Sequence, residues 1–339
     1  MATQRPADHP SIPEAKIGVL LLNLGTPDAT DYWSMRRYLS EFLSDRRVIE
    51  TNPLIWQPIL QGIILSVRPR ESGANYERIW DRAANDSPLR VITRRQAEKL
   101  QARLGDRVIV DFAMRYGNPS TPSRLTALQQ AGCRRILLVP MYPQYSATTT
   151  GTANDRAFDS LKTMRWQPAV RTMPAYFDQP AYVETLARSI AEGVAALDFE
   201  PDVVLTSYHG MPKSYLLAGD PYHCQCLKTT RLVREYLGWP EDRMMVTFQS
   251  RFGRAEWLQP YTQDMFETLP RQGKKKIAVV APAFSVDCIE TLEEIAITGK
   301  EQFEHAGGER YAYIPCLNDT EPAMAMLETL VRNELGGWL

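Results

Sequence analysis

Short runs of apolar, often β-branched residues recur along the chain, each followed by a helix-length stretch, and this alternation restricts the fold more than any other feature. The runs are Ile17–Leu24, Val108–Met114, Ile136–Met141, Val170–Met173, Val203–Tyr208, Met244–Phe248, Ile277–Ala281 and Tyr311–Ile314. Each is almost continuously apolar, as strands buried on both faces of a parallel sheet must be. Amphipathic stretches such as Arg90–Leu104, Tyr182–Leu197 and Pro322–Leu335 lie between them. Strand–helix alternation throughout specifies an α/β protein with doubly wound sheets. At 339 residues the chain exceeds the size at which one core stops growing, about 250–300 residues. Two similar doubly wound halves are therefore expected, each with a mainly four-stranded parallel sheet (about four strands per half suits ordinary domain sizes) and a cleft between them. The seam lies between Gly151 and Pro180, and the division reads 14–165 for the first half and 166–320 for the second. A last helix, 321–339, is placed back on the first half.

Charge and composition exclude several partners. With 44% hydrophobic residues, 23% charged residues and a net charge of −1, the chain has no basic excess to neutralise phosphates, so no nucleic-acid partner is expected. Met1 to Pro13 is polar and Pro-rich, without the apolar core of a signal peptide. The most apolar stretch, Leu54 to Val67, is broken by Gln57, Pro58 and Gln61 and is too short to span a bilayer. Five cysteines without regular spacing suit a reducing compartment. A soluble, cytoplasmic protein is expected.

Ligands of open parallel sheets bind beyond the carboxyl ends of the strands. Those ends carry Asn23 to Pro27, Arg115 to Pro119, Tyr142 to Ser146, His209 to Pro212, Gln249 to Gly253 and Phe284 to Asp287. Neither G-x-G-x-x-G after a strand nor G-x-x-x-x-G-K-[ST] occurs, which argues against a nucleotide cofactor. The rim suits a large, flat, partly apolar ligand with a few polar handles. Among the histidines His9, His209, His223 and His305, only His209 ends a buried strand, and the Gly210-Met211-Pro212 turn after it would aim its ring into the cleft. Asp287, Glu290 and Glu294 (i, i+3, i+7) would share a helix face and form a line of carboxylates. The same D-x-x-E is equally a capping box with Asp287 as N-cap, and the sequence does not separate the two. His223-Cys224-Gln225-Cys226 could hold a soft metal but lacks a second ligand pair, so an incidental surface helix is the better reading.

Taken together the strand-end segments resemble ferrochelatases of the bacterial type, from about Lys16 to Leu335. The resemblance is carried by L-L-N-L-G-T-P (Leu21–Pro27), Y-L-S-E-F-L-S-D-R-R-V-I (Tyr38–Ile49), M-R-Y-G-N-P (Met114–Pro119), P-Q-Y-S-A-T-T-T-G (Pro143–Gly151), S-Y-H-G-M-P (Ser207–Pro212), G-D-P-Y (Gly219–Tyr222), F-Q-S-R-F-G-R-A-E-W-L (Phe248–Leu258) and D-C-I-E-T-L-E-E (Asp287–Glu294). It implies a lyase of haem and porphyrin biosynthesis that inserts ferrous iron into protoporphyrin IX, releasing two protons. It also implies His209 and Glu290 as catalytic and metal-binding residues, with Asp287 and Glu294 as an acidic path. Leu24, Arg115, Tyr116 and Tyr142 would line the porphyrin site from the first half and Trp257 from the second. A lip segment, about 38–70, would admit the porphyrin and make peripheral contact at the inner face of a membrane; a plain core helix is the rival reading of Leu54–Val67.

Iron is implied as a substrate, with no resident cofactor, and a monomer is expected. Some relatives carry histidine at the position of Cys288. Others bind an iron–sulfur cluster through a cysteine where this chain has Ala147 and through cysteines near the C-terminus, where residues 333–339 have none; no cluster is expected here. The chemistry suits these side chains. An imidazole titrates near about 6.5 and can accept pyrrole protons at neutral pH. One histidine facing carboxylates is an exchangeable metal site, whereas structural thiolate sites hold zinc with about 10–16 kcal/mol.

Overall fold

The computed structural model describes residues 8, 15–253 and 255–339. His9 and the start of the first half at residue 14 lie outside the described residues. Every expected strand is present. β1 (Lys16–Thr26), β2 (Val108–Gly117), β3 (Cys133–Pro140) and β4 (Ala169–Thr172) form one four-stranded sheet in the order β2-β1-β3-β4. β5 (Val203–His209), β6 (Met244–Gln249), β7 (Lys276–Val280) and β8 (Arg310–Ile314) form a second in the order β6-β5-β7-β8. All pairings are parallel. In each sheet the first strand lies between its two successors in sequence, so the chain leaves β1 to one side and returns on the other, and likewise for β5. The carboxyl ends of β1 and β5 are therefore the switch points where a ligand crevice opens.

The division at 165/166 is corrected: β4 pairs with β3 from Arg135 opposite Ala169 to Leu138 opposite Thr172, so the first sheet runs past residue 170. Hydrogen bonding assigns this short strand to its sheet, and composition does not register it. The two halves also share one core. Val19, Leu21, Leu137 and Val139 of the first sheet belong to the same buried cluster as Val204, Ala278 and Val280 of the second, joined through Leu186, Ile190, Leu327 and Val331 of the intervening helices. The C-terminal helix Glu321–Glu334 lies against the first half: Arg103 reaches Glu328 at 2.9 Å and also Glu321, and the Arg332 guanidinium donates to the Arg103 carbonyl at 2.8 Å. Arg171 of β4 donates to the Glu334 and Gly336 carbonyls at 2.8 and 3.0 Å and stacks on Trp338.

Between β1 and β2 the chain inserts a helical unit: α1 (Tyr32–Leu43), α2 (Pro53–Ile59), a π-helical turn (Leu60–Ile64), α3 (Leu65–Ile79) and then α4 (Pro88–Leu104). Asp31 caps α1 by accepting from the Trp33 and Ser34 amides, and Asn52 caps α2 through the Leu54 amide. Leu60, Leu65 and Tyr76 are buried with Met35 and Tyr38, but Leu54, Ile55, Ile63 and Val67 are 86%, 60%, 63% and 65% exposed. The core-helix reading of Leu54–Val67 does not hold, because only one narrow face of the segment finds partners. No helix among the described residues is long and apolar enough to cross a membrane.

Candidate active site

His209 is the last residue of β5, at the switch point of the second sheet. The turn after it is built by close approach. The Gly210 amide donates to the Gln249 carbonyl at 2.8 Å, and a Cβ at Gly210 would meet that oxygen at 2.6 Å and the Trp257 ring at 3.1 Å. No other residue fits there. The ring Nδ1 lies 2.7 Å from the Gly210 carbonyl oxygen, which only accepts, so Nδ1 carries the proton. In the neutral ring the lone pair is then on Nε2, the atom that can take a proton or bind a metal.

Gln249, opposite His209 in register on β6 and fully buried, links this strand end to the carboxylate segment. Its Oε1 accepts from Ser207 Oγ at 2.7 Å and its Nε2 donates to the Glu290 carbonyl at 2.8 Å. The next residue, Ser250, adopts a left-handed conformation with φ 63°, which aims its amide and hydroxyl at Glu294. They donate at 2.7 and 2.6 Å, and Gln263 Nε2 adds a third bond at 2.7 Å. Burial raises the Glu294 carboxyl above the usual carboxylate range; the Ser250 bonds and the His209 ring oppose the rise, and Glu290 adds to it. Glu294 thus lies within electrostatic reach of both His209 and Glu290.

A raised carboxyl favours its proton in the folded state, so the stability it contributes is complete below the ordinary range, about 4.3, and is lost as pH rises through the folded value. Glu294→Gln cannot ionise. Its melting temperature relative to the wild type is therefore expected to be more favourable at pH 8 than at pH 5, and a difference that does not change with pH refutes this.

The segment after β7 departs from the expected helix. Cys288 is the N-cap, with its amide donating to Thr291 Oγ1 at 3.0 Å, the first turn is Ile289–Thr291, and Leu292–Gly299 is π-helical. Asp287 precedes the helix. Its carboxylate accepts from Tyr313 of β8 (2.5 Å) and Asn318 just after it (2.6 Å), and from Thr291 of the following turn (3.0 Å), so its oxygens are taken up by these partners rather than standing in line with Glu290 and Glu294. The i, i+3, i+7 spacing assumed an α-helix beginning at Asp287. Neither that start nor the α period is present, and π segments of this kind recur at functional sites.

The remaining predicted residues divide by exposure. Leu24 is half-buried and packs on the cluster of Met35, Tyr38 and Tyr116. Tyr116 is fully buried, with its hydroxyl donating to Asp45 at 2.8 Å, so its ring is not open to a ligand in this structure. Arg115 stacks on Tyr116 at 4.4 Å, donates to Thr152 Oγ1 at 2.7 Å and pairs with Asp45. Burial pushes the Asp45 carboxyl up, but bonds from Thr152, the Arg47 amide and Tyr116, with the Arg115 charge, outweigh it and hold the carboxyl low. Tyr142 and Trp257 differ: the Tyr142 hydroxyl and the Trp257 Nε1 are buried without a partner among the described residues. Burial raises the Tyr142 hydroxyl; Arg115 opposes and Glu290 adds to the rise, so Tyr142 lies within electrostatic reach of both. An open groove of about 570 Å³ beside Arg115 is lined also by Arg36, Arg37, Glu41, Asp45 and Arg156.

Cys226 is buried in the cluster of Phe248, on which His223 stacks at 5.6 Å, whereas Cys224 is exposed, so the three do not form one ligand set. Among the described residues no three His, Cys, Asp or Glu side chains converge in a metal-holding group.

A ferrochelatase family model matches residues 16–335. The chain belongs to the ferrochelatase family. A ferrochelatase of Allorhizobium ampelinum is 59% identical over 336 residues, covering 98% of each chain, and that of Rhizobium meliloti is 59% identical over 334, again 98% of each. One from Chelativorans sp. is 57% identical, covering 99% of this chain and 96% of the relative. The fold is also that of SirB from Bacillus subtilis with Fe3+, at a TM-score of 0.53 and 10% identity over 94% of this chain and 95% of that one. The sirohydrochlorin chelatase SirB of Bacillus subtilis subspecies spizizenii in complex with cobalt gives 0.51 at 8% identity, covering 94% of each.

Sequence reasoning assigned no role to Gln249, Ser250, Gln263 or Asp45. Gln249 and Ser250 stand within the F-Q-S-R-F-G segment at a strand end, the only signal that could have found them. Asp45 follows α1 inside the Tyr38–Ile49 motif, which singles out no residue of its own, and Gln263 lies in the helix Thr262–Arg271, whose sequence gives no hint of the site.

Proposed function

We infer that the protein inserts ferrous iron into protoporphyrin IX, giving protohaem and releasing two protons. The observation that carries the mechanism is a histidine whose Nδ1 is engaged by the Gly210 carbonyl, leaving Nε2 for the ligand, beside a segment tied to the same strand ends through the Glu290 main chain and the Glu294 carboxylate. In this reading Nε2 of His209 accepts a pyrrole proton or binds the entering iron, and Glu290 faces it. Glu294 relays metal or protons outward; Asp287 takes no part in that path. Sparse nitrogen and oxygen donors suit an ion that must be passed on.

Tyr142 and Trp257 offer their unpartnered O–H and N–H to the ring, Leu24 adds an apolar contact, and Tyr116 backs the wall. Pressing the flat ring toward a saddle would expose nitrogen lone pairs, with strain of about 1–5 kcal/mol drawn from remote contacts. Arg115 has two of its nitrogens engaged by Thr152 and Asp45, so a propionate would meet the groove it shares with Arg36, Arg37 and Arg156. The exposed face of Leu54, Ile55, Ile63 and Val67 would hand over an apolar substrate and rest on a membrane surface at its inner face. The reading takes the protein as a cytoplasmic monomer with iron as substrate alone and no iron–sulfur cluster; for the cluster, Ala147 in place of a cysteine supports it.

Anaerobic mixing of protein, protoporphyrin IX and ferrous iron tests it. Loss of porphyrin fluorescence with formation of haem absorbance is expected. Binding without turnover would make the protein a tetrapyrrole carrier.

A further inference from the structure

The carboxylate segment is anchored from two sides, and only one anchor belongs to the site described above. Glu294 is held by Ser250 and Gln263. Its neighbour Glu293 points the other way: Arg78 Nη1 lies 2.6 Å from its Oε1, and Thr298 Oγ1 donates to the same oxygen at 2.9 Å. The other arm of Arg78 reaches Glu301 at 3.1 Å. The Glu293 side chain is only 11% exposed, so its charge depends on this guanidinium, whereas Glu301 is 57% exposed and contributes less.

Arg78 stands at the end of α3, the helix that begins with the exposed apolar face at Val67. Tyr76, two residues earlier, belongs to the cluster on which Ile289, the residue before Glu290, also packs. Helix α3 and the carboxylate segment are thus joined twice, by an ion pair and by an apolar contact. π-helical segments are rare and mostly limited to single turns, and here the segment is held by outside partners on both sides.

We propose that Arg78 is a positioning residue: by clamping Glu293 and Glu301 it couples α3 to the π-helical segment and holds Glu290 and Glu294 at the distance metal insertion requires. The proposal rests on the ferrochelatase reading. Porphyrin binds to the walls without Arg78, so the clamp acts on turnover and not on affinity.

The test compares wild type, Arg78→Ala, Arg78→Lys, Glu293→Gln and the double variant Arg78→Ala/Glu293→Gln in anaerobic metallation, with porphyrin affinity read from tryptophan quenching. Arg78→Ala is expected to lower kcat about ten- to a hundredfold, the penalty of a small misplacement, with porphyrin affinity within about twofold. Arg78→Lys should recover much of the loss. The double variant should be no worse than the worse single one, because both break the same pair. Unchanged kcat in Arg78→Ala, a parallel loss of porphyrin affinity, or multiplying effects in the double variant each overturn the clamp while leaving the activity intact. Absence of turnover in the wild type overturns the ferrochelatase reading instead. Should Arg78→Ala not fold, Arg78→Lys with Glu293→Gln carries the same comparison.

Discussion

The His209→Ala protein is expected to bind protoporphyrin IX and fail to metallate it. The substitution removes the only imidazole at the strand end and with it the Nε2 lone pair, while the Tyr142 and Trp257 walls stay in place. Loss of a positioned proton acceptor costs about 10²–10⁴-fold in rate, and loss of a metal-binding nitrogen adds to it. Stability should change little, since the side chain bonds only to the carbonyl of its own turn, a contact of about 0.5–1.5 kcal/mol. Porphyrin fluorescence in the presence of ferrous iron, with a melting curve and a porphyrin titration on the same sample, gives the result. Turnover near the wild-type rate refutes the assignment. Loss of porphyrin binding in step with turnover makes His209 a wall residue.

The second large effect is Glu290→Gln. The shape is kept, the charge is lost, and a rate deficit of about 10²–10⁴-fold is expected from removing a carboxylate that faces the reacting nitrogens. The capping reading predicted a stability loss instead, and here the structure makes a clean comparison. The cap at this helix is made by Cys288 and Thr291, and Glu290 contributes its carbonyl to Gln249, which the substitution retains. Glu290→Gln should therefore melt near the wild type, whereas Thr291→Ala, which removes the capping hydroxyl and a bond to Asp287, should lose about 0.5–2 kcal/mol. A Glu290→Gln protein that melts early yet turns over normally would restore the capping role.

Much of the fold was legible because its cause is local. Strands buried on both faces read as unbroken apolar runs, and all of those runs became parallel strands with ends within a few residues of expectation. Strand ends then pointed to the cleft, since parallel connections place them there, and His209 followed from its position alone. The short strand Ala169–Thr172 was recognised as a strand but divided from its sheet, because nothing in four residues records which neighbour they pair with.

The candidate site was less legible where it depends on departures from local rules. D-C-I-E-T-L-E-E reads as an α-helix with a carboxylate line, and the structure makes it a late-starting turn followed by a π-helix. That choice is made by outside partners: Tyr313 and Asn318 take Asp287, Ser250 and Gln263 take Glu294, and Arg78 takes Glu293. Arg115 likewise reads as a free cation in M-R-Y-G-N-P, but Asp45, distant in sequence, claims it.

By itself the sequence determined the α/β class, the strands, the histidine at the switch point and membership of a chelatase lineage, because hydrophobic periodicity and strand-end motifs are written in consecutive residues. Only the tertiary structure decided which carboxylates stand together, which tautomer His209 holds and what anchors the segment opposite it. Those are settled by hydrogen bonds and ion pairs between residues far apart in the chain, and a linear pattern carries no record of them.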